Sequence, residues 1–361
     1  MAKKILVVDD SALMRSVICD IINNDKRFQV VARATNGLEA FDLLSRNTYD
    51  AVVLDVNMPK MNGLELLNEL RKYKIPAKIM MASTDTREGA KTTLDALELG
   101  ALDFIHKPQN AIDCREESFR EDLLRILEVV SESKPPVFES SEKLEKARST
   151  TVKVLDIVKK KGITTAGDKI VAIASSTGGP KALQEVIPKF PAELDAPVLV
   201  VQHMPKGFTA SFAERLNAMS SVTVKEAEEG DELQKGCVYL ARGGNHMNVV
   251  TTTGGRAKIH YSDEPSREGV KPCANYMYES LADSRYDNII CTVMTGMGAD
   301  GTVGIRNLKH KKKVHVIAQD QESSVVYGMP KSVVAAGLSN QVVPLEQIAQ
   351  EIILHVGLSN E

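Results

Sequence analysis

A twice-repeated alternation of short β-branched runs with longer helical patterns constrains this chain more than any other feature. Runs at residues 5–8, 30–34, 51–54, 78–81 and 103–105 are separated by helical patterns at 38–46, 63–73 and 89–99, the last closed by Gly100. Five such repeats predict an α/β fold, a doubly wound five-stranded parallel sheet. From residue 168 the alternation resumes at 170–174, 198–201, 237–240, 288–293 and 314–318, with helical patterns at 180–187, 207–219 and 275–285. Residues 246–261, split by Gly254-Gly255, read as an antiparallel hairpin on the edge of a second, mainly parallel sheet. Between the two, residues 131–142 are polar and carry Pro135-Pro136, a linker composition. Residues 143–161 hold Leu144, Leu155, Ile157 and Val158 among many charges, a pattern compatible with a helix or with loose chain. The expected division is a first domain at 1–130, a linker at 131–167 and a second domain at 168–361.

Composition removes several function classes. A net charge of −3 offers no global basic field for nucleic acid, and the one strong basic cluster, Lys309 to Lys313, reads as a solvated helix-to-strand connection. Five scattered cysteines without CxxC spacing argue against a disulfide framework or a zinc site and for a reducing compartment. The four-residue apolar run between Lys4 and Asp9 is too short for a secretion signal, and no stretch approaches membrane-spanning length, so a cytoplasmic protein without membrane insertion is expected.

Ligands of parallel α/β sheets bind outside the carboxyl ends of the strands. In the first domain those ends carry Asp9 and Asp10, then Asp55, then Ser83 and Thr84, then Lys107 and Pro108. Three carboxylates on one edge repel unless a cation holds them, and hard oxygen donors suit Mg²⁺. A hydroxyl and a lysine nearby are what a transferred phosphoryl group needs for its remaining oxygens.

These positions resemble two-component receiver domains in Val7-Val8-Asp9-Asp10-Ser11, in Leu54-Asp55-Val56-Asn57-Met58-Pro59 with Asn62-Gly63, and in Phe104-Ile105-His106-Lys107-Pro108. The resemblance implies that Asp55 accepts phosphate and that Asp10, Asp55 and the Asn57 carbonyl hold Mg²⁺, with Asp9 in support. It further implies that Ser83 bonds the phosphoryl group, that Lys107 pairs with it, and that Phe104 is the switch aromatic. Asn62 stands where most receivers have Asp, a change expected to be harmless.

The second domain places Ser175-Ser176-Thr177-Gly178-Gly179-Pro180 between its first strand and a helix. Such a turn suits either phosphate cradling or presentation of a nucleophilic serine, although the G-x-S-x-G pattern is absent. His203 follows the next strand, and Asp300 lies in a glycine-rich turn after another. Ser, His and Asp at three strand ends of one sheet can meet as nucleophile, base and orienting acid. His246 is a rival for the base. His310 and His355, like His260 in the hairpin, read as surface, and His315 lies inside a strand.

Four segments resemble the CheB family of chemotaxis response-regulator protein-glutamate methylesterases. They are Ala174 to Pro180, Val201-Gln202-His203-Met204-Pro205, Met294 to Gly301, and Gln319-Asp320 with Ser323 to Pro330. The resemblance implies Ser176 as nucleophile, His203 as base, Asp300 as its orienting acid, Thr177 as a positioner of His203, and the Met297 N–H as oxyanion donor. It implies hydrolysis of methyl esters on glutamates of chemoreceptor cytoplasmic helices, deamidation of certain receptor glutamines, and a chemotaxis histidine kinase as phosphodonor, with no cofactor for the esterase chemistry. Arg242, and Cys273 within Lys271-Pro272-Cys273-Ala274-Asn275, depart from the usual pattern and put substrate recognition rather than the triad in question.

Overall fold

The computed structural model describes residues 1–84, 87–108, 113–136 and 167–359, and the chain divides into two compact units, Met1–Glu139 and Ser140–Glu361. In the first unit, β1 (Lys3–Val8), β2 (Phe28–Ala34), β3 (Ala51–Asp55), β4 (Ile79–Thr84) and β5 (Asp103–Lys107) form a parallel sheet in the order β2-β1-β3-β4-β5. The helices α1 (Ala12–Asn23), α2 (Gly37–Arg46), α3 (Gly63–Lys72), α4 (Arg87–Leu99) and α5 (Glu117–Glu132) connect and cover them. Strand order reverses between β1 and β3, so the acids that end those two strands share the crevice where such sheets take ligands.

Helix starts follow from local chemistry. Ser11 caps α1 by accepting the Met14 N–H at 3.3 Å, and Asn36 caps α2 through the Glu39 N–H at 3.1 Å. Asn62 heads α3 in a reciprocal capping box, taking the Glu65 N–H at 2.9 Å while the Glu65 carboxylate takes its own N–H at 2.8 Å. Asparagine therefore does the capping that an aspartate would do there. Gly63 follows because a Cβ at that position would lie 2.5 Å from the Asp55 carbonyl oxygen.

Helix α5 continues to Glu132, past the point where polar composition suggested a linker. Ser131 is polar for a reason internal to the fold: its hydroxyl takes Lys3 Nζ at 3.1 Å and its carbonyl takes Lys78 Nζ at 2.7 Å. The segment 143–161, whose helicity the pattern left open, lies outside the described residues.

The second unit is built on seven parallel strands in the order β14-β13-β12-β6-β7-β9-β8. These are β6 (Lys169–Ser175), β7 (Val198–Gln202), β8 (Thr223–Glu226), β9 (Cys237–Leu240), β12 (Asn288–Val293), β13 (Lys313–Gln319) and β14 (Gln341–Val343). The hairpin β10 (His246–Thr251) and β11 (Ala257–Ser262) is antiparallel, as expected, but it forms a two-stranded sheet of its own rather than an edge of the seven-stranded one. All seven residues of β6 are buried, which is why this central strand reads as one apolar run rather than as an alternation. Its upward-facing Ile170, Ala172 and Ala174 join Met277, Tyr278 and Leu281 in one core. The four-residue β8 and three-residue β14 are edge strands too short to register in the sequence pattern. Lys309 to Lys313 do run from a helix end into β13.

Candidate active site

Strand β6 lies between β12 and β7, and Ser175 at its end is level with Gln202 at the end of β7. Ser176 and His203 are therefore the first residues beyond two adjacent strands, about 4.8 Å apart in the sheet. The His203 N–H donates to the Ser175 carbonyl at 3.0 Å and ties the two turns together. Gly178 takes φ +76°, a left-handed turn that delivers the chain into the helix Gly179–Val186. Behind Ser176 lies Gly296, where a Cβ would fall 2.7 Å from Ser176 Cβ, so only glycine lets the turn after β12 approach the serine.

Asp300, in that turn, is 2% exposed and heavily solvated by the protein itself. Its Oδ2 meets His203 Nε2 at 2.8 Å and accepts the Ala274 N–H at 2.6 Å; its Oδ1 accepts from the N–H groups of Asn275 (2.9 Å) and Gly301 (2.8 Å) and from Cys273 Sγ at 3.0 Å. Burial alone would raise the Asp300 carboxyl, but bonding to and charge on His203, with the Cys273 and Ala274 donors, outweigh it and hold the group below its ordinary range. Because His203 Nε2 is committed to Asp300, Nδ1 is the nitrogen left for a proton from a nucleophile. Ser176 is 8% exposed, and its Oγ makes no hydrogen bond among the described residues.

Thr177 is buried, and its carbonyl accepts from Thr295 Oγ1 at 2.9 Å. The Ser176 N–H is engaged by the Thr295 carbonyl at 3.0 Å and is unavailable to a substrate. The Met297 N–H makes no hydrogen bond among the described residues, and its side chain is exposed. His246 is not brought to this site as a base. It is fully buried, its Nδ1 accepts the Cys273 N–H at 3.2 Å, and its Nε2 faces the Pro265 carbonyl at 3.3 Å. Burial, then the charge of Lys271, lowers its pKa. His355 is likewise not plain surface: its ring stacks on His315 with centroids 3.8 Å apart.

In the first unit, carboxylate oxygens of Asp9, Asp10 and Asp55 lie within 4.8 Å of one another, and only Asp10 is exposed. Lys107, the last residue of β5, sends its ammonium between two of them, 3.0 Å from Asp9 and 2.8 Å from Asp55. Burial dominates at Asp55 and pushes its carboxyl from 3.8 to about 6 despite that cation. The Lys107 ammonium, opposed by burial but flanked by Asp55 and Asp9, is raised and stays charged. Ser83 is buried with its hydroxyl 3.3 Å from the Gly89 carbonyl, Phe104 is packed inward, and Asn57 is exposed.

Residues 171–352 match the family model described as CheB methylesterase, and residues 5–117 match that of the response regulator receiver domain. The chain belongs to the CheB methylesterase family. It is 42% identical over 357 residues to a protein-glutamate methylesterase/protein-glutamine glutaminase of Syntrophomonas wolfei, covering 97% of this chain and 98% of the relative. The corresponding protein of Bacillus subtilis is 41% identical, covering 97% of each. The crystal structure of the Thermotoga maritima CheB methylesterase catalytic domain superposes with a TM-score of 0.50 at 40% identity, over 52% of this chain and 98% of that one. A receiver joined to a chemotaxis methylesterase implies a kinase as phosphodonor and a chemoreceptor as substrate. Among the described residues no helix is long and apolar enough to cross a membrane.

Sequence reasoning missed the groups around Asp300 and the turns after β6 and β7. Cys273 and Asn275 appeared only as departures from the CheB pattern, yet the thiol and both N–H groups at 274 and 275 face Asp300. Gln202, Thr295 and Gln319 carried no signal beyond lying at or just past strand ends. Several of their partners are distant in the chain: Ser175 for Gln202, Thr177 for Thr295.

Proposed function

We propose that Ser176, His203 and Asp300 are the catalytic triad with which this phosphorylation-controlled serine hydrolase removes methyl esters from glutamates of chemoreceptor cytoplasmic helices. The observation that carries the reading is the 2.8 Å contact between His203 and a buried, ionised Asp300, one strand from the nucleophile turn. Ser176 Oγ attacks the ester carbonyl carbon while its proton passes to His203 Nδ1, and the carbonyl π pair moves onto oxygen. Thr177 helps position His203. With the Ser176 N–H occupied, the free N–H of Met297 is the donor for that oxyanion, a role typically worth about 3 kcal/mol of barrier. Collapse of the intermediate breaks the C–O bond to the methyl oxygen, which takes the His203 proton and leaves as methanol. Water then attacks the acyl-enzyme with His203 again as base, regenerating Ser176 and giving glutamate. A primary amide differs only in leaving as ammonia, which accounts for deamidation of receptor glutamines by the same groups.

Control enters through Asp55 as the phosphate acceptor, from a chemotaxis histidine kinase. The donor set of Asp10 and Asp55 with the Asn57 carbonyl, supported by Asp9, fits Mg²⁺: all are hard oxygens, and the three carboxylates cluster within 4.8 Å with two of them buried. When bound, the ion supplies the positive charge that lets these acids and an incoming phosphoryl group share one crevice. Lys107 is already charged and placed to pair with the phosphoryl oxygens, Ser83 is the hydroxyl that would turn toward them, and Phe104 is the aromatic that follows it. The protein acts in the cytoplasm, where its kinase and receptor helices are reached without membrane insertion.

The test is methanol release from methylated receptor membranes. Ser176→Ala should abolish it while leaving the fold intact, since a small hydroxyl without a protein partner contributes little to stability. Methanol release by Ser176→Ala near the unsubstituted rate would refute the assignment.

A further inference from the structure

We infer that Gln202 is the positioning residue that holds nucleophile and base in register, an inference that rests on the triad proposed above. Gln202 ends β7, is 1% exposed, and its amide bonds both across the gap to the end of β6 and to the turn after its own strand. Its Oε1 accepts the Ser175 hydroxyl at 2.7 Å. Its two N–H bonds go to the Ser176 carbonyl at 2.9 Å and to the His203 carbonyl at 3.1 Å. One planar group thus touches the backbone of both reacting residues and the residue before the nucleophile. No rotation about a single bond relaxes it without breaking two contacts.

The surroundings are shaped for that amide. A Cβ at Gly179 would collide with Gln202 Oε1 and lie 2.8 Å from Ser175 Cβ and 2.9 Å from its Oγ. The glycine here has an ordinary helical start, so it is required by the space the amide fills rather than by backbone conformation. The two carbonyls can only accept, so the amide nitrogen must face them and Oε1 is left to accept from the fully buried Ser175 hydroxyl. Backbone contact alone, the His203 N–H to the Ser175 carbonyl, leaves the separation of the two side chains a hinge with one bond. The amide adds two more across the same hinge. Misplacement of reacting groups by about 1 Å costs on the order of a hundredfold in rate, so a group with this placement controls turnover without touching substrate.

The test uses the full-length protein and two readouts: steady-state methanol release, and the second-order rate of labelling by a serine-directed phosphonate. The substitution Gln202→Met keeps the volume and removes every hydrogen bond. It should lower kcat and the labelling rate by about 30- to 100-fold per folded molecule, with KM within about twofold. Ser175→Ala deletes only the donor to Oε1, one of the amide's two bonds to the end of β6, and should cost about three- to tenfold in the same two rates. A purely structural role predicts lower melting temperature with unchanged kcat per folded molecule, and that result overturns the inference. Should Gln202→Met not fold, unchanged kcat and labelling in Ser175→Ala overturn it as well. Failure of the phosphonate to label Ser176 in the unsubstituted protein would instead overturn the triad itself.

Discussion

Asp55 is a buried acid whose charge the fold tolerates poorly, and this makes a definite statement about pH. Its carboxyl titrates near 6 in the folded chain against 3.8 ordinarily, chiefly through burial. As pH rises, the unfolded chain loses this proton first and the folded chain later, so the folded state binds more protons between about 4 and 6. Stability of the first unit is therefore greatest below pH 4 as far as this group is concerned, and is lost as pH climbs to 6. Two pKa units correspond to about 3 kcal/mol. Asp55→Asn removes the titration but also one of the two ion pairs of Lys107, leaving Asp9 at 3.0 Å. A net gain of about 1–3 kcal/mol is expected at pH 7.5 without divalent cation, shrinking toward zero at pH 4 once other acids are taken into account by difference. Hydrogen exchange on peptides from β1, β3 and α5 of the intact protein, read by mass spectrometry at several pH values, measures this. Mg²⁺ should reverse the order at neutral pH, because only the carboxylate gains a cation. An Asp55→Asn protein less stable at pH 7.5, or a difference independent of pH, would refute the argument that burial outweighs Lys107.

Asp300→Asn should lower kcat by about 10⁴-fold, about 5 kcal/mol of barrier, because an amide cannot both keep the five donors and stabilise a protonated His203. His203→Gln should be comparably impaired, and the double variant no worse than the weaker single, as steady-state methanol release will show. A small phosphodonor with Mg²⁺ should phosphorylate Asp55 and raise esterase activity of the full chain. Asp55→Asn should show neither incorporation of label nor stimulation. Gly63→Ala sets a Cβ against the Asp55 carbonyl and should cost about 1–3 kcal/mol in the first unit together with slower phosphorylation, read by denaturant unfolding and label uptake.

The repeat of β-branched runs determined much on its own. A parallel strand buried on both faces must be apolar throughout, and a polar residue at its carboxyl end must mark the edge where ligands bind. That logic gave the first sheet, the five longer strands of the second, and the positions of Asp55, Ser176 and His203 at or just beyond strand ends before any contact was known. The motifs then named the family and implied the roles. What the tertiary structure alone decided is which distant groups meet. His203 and Asp300 are 97 positions apart, Lys107 and Asp9 are 98, and strand-end spacing alone does not distinguish His203 from His246. The fold separates them: one imidazole faces an ionised carboxylate at the strand ends, while the other is walled in behind Cys273 with both nitrogens engaged. The same holds for Ser131, polar in sequence yet closing a helix over Lys3 and Lys78, and for Gln202, an ordinary polar residue after an apolar strand. Periodicity reports which face of an element is buried; the identity of the partner on that face is set by packing between elements remote in the chain.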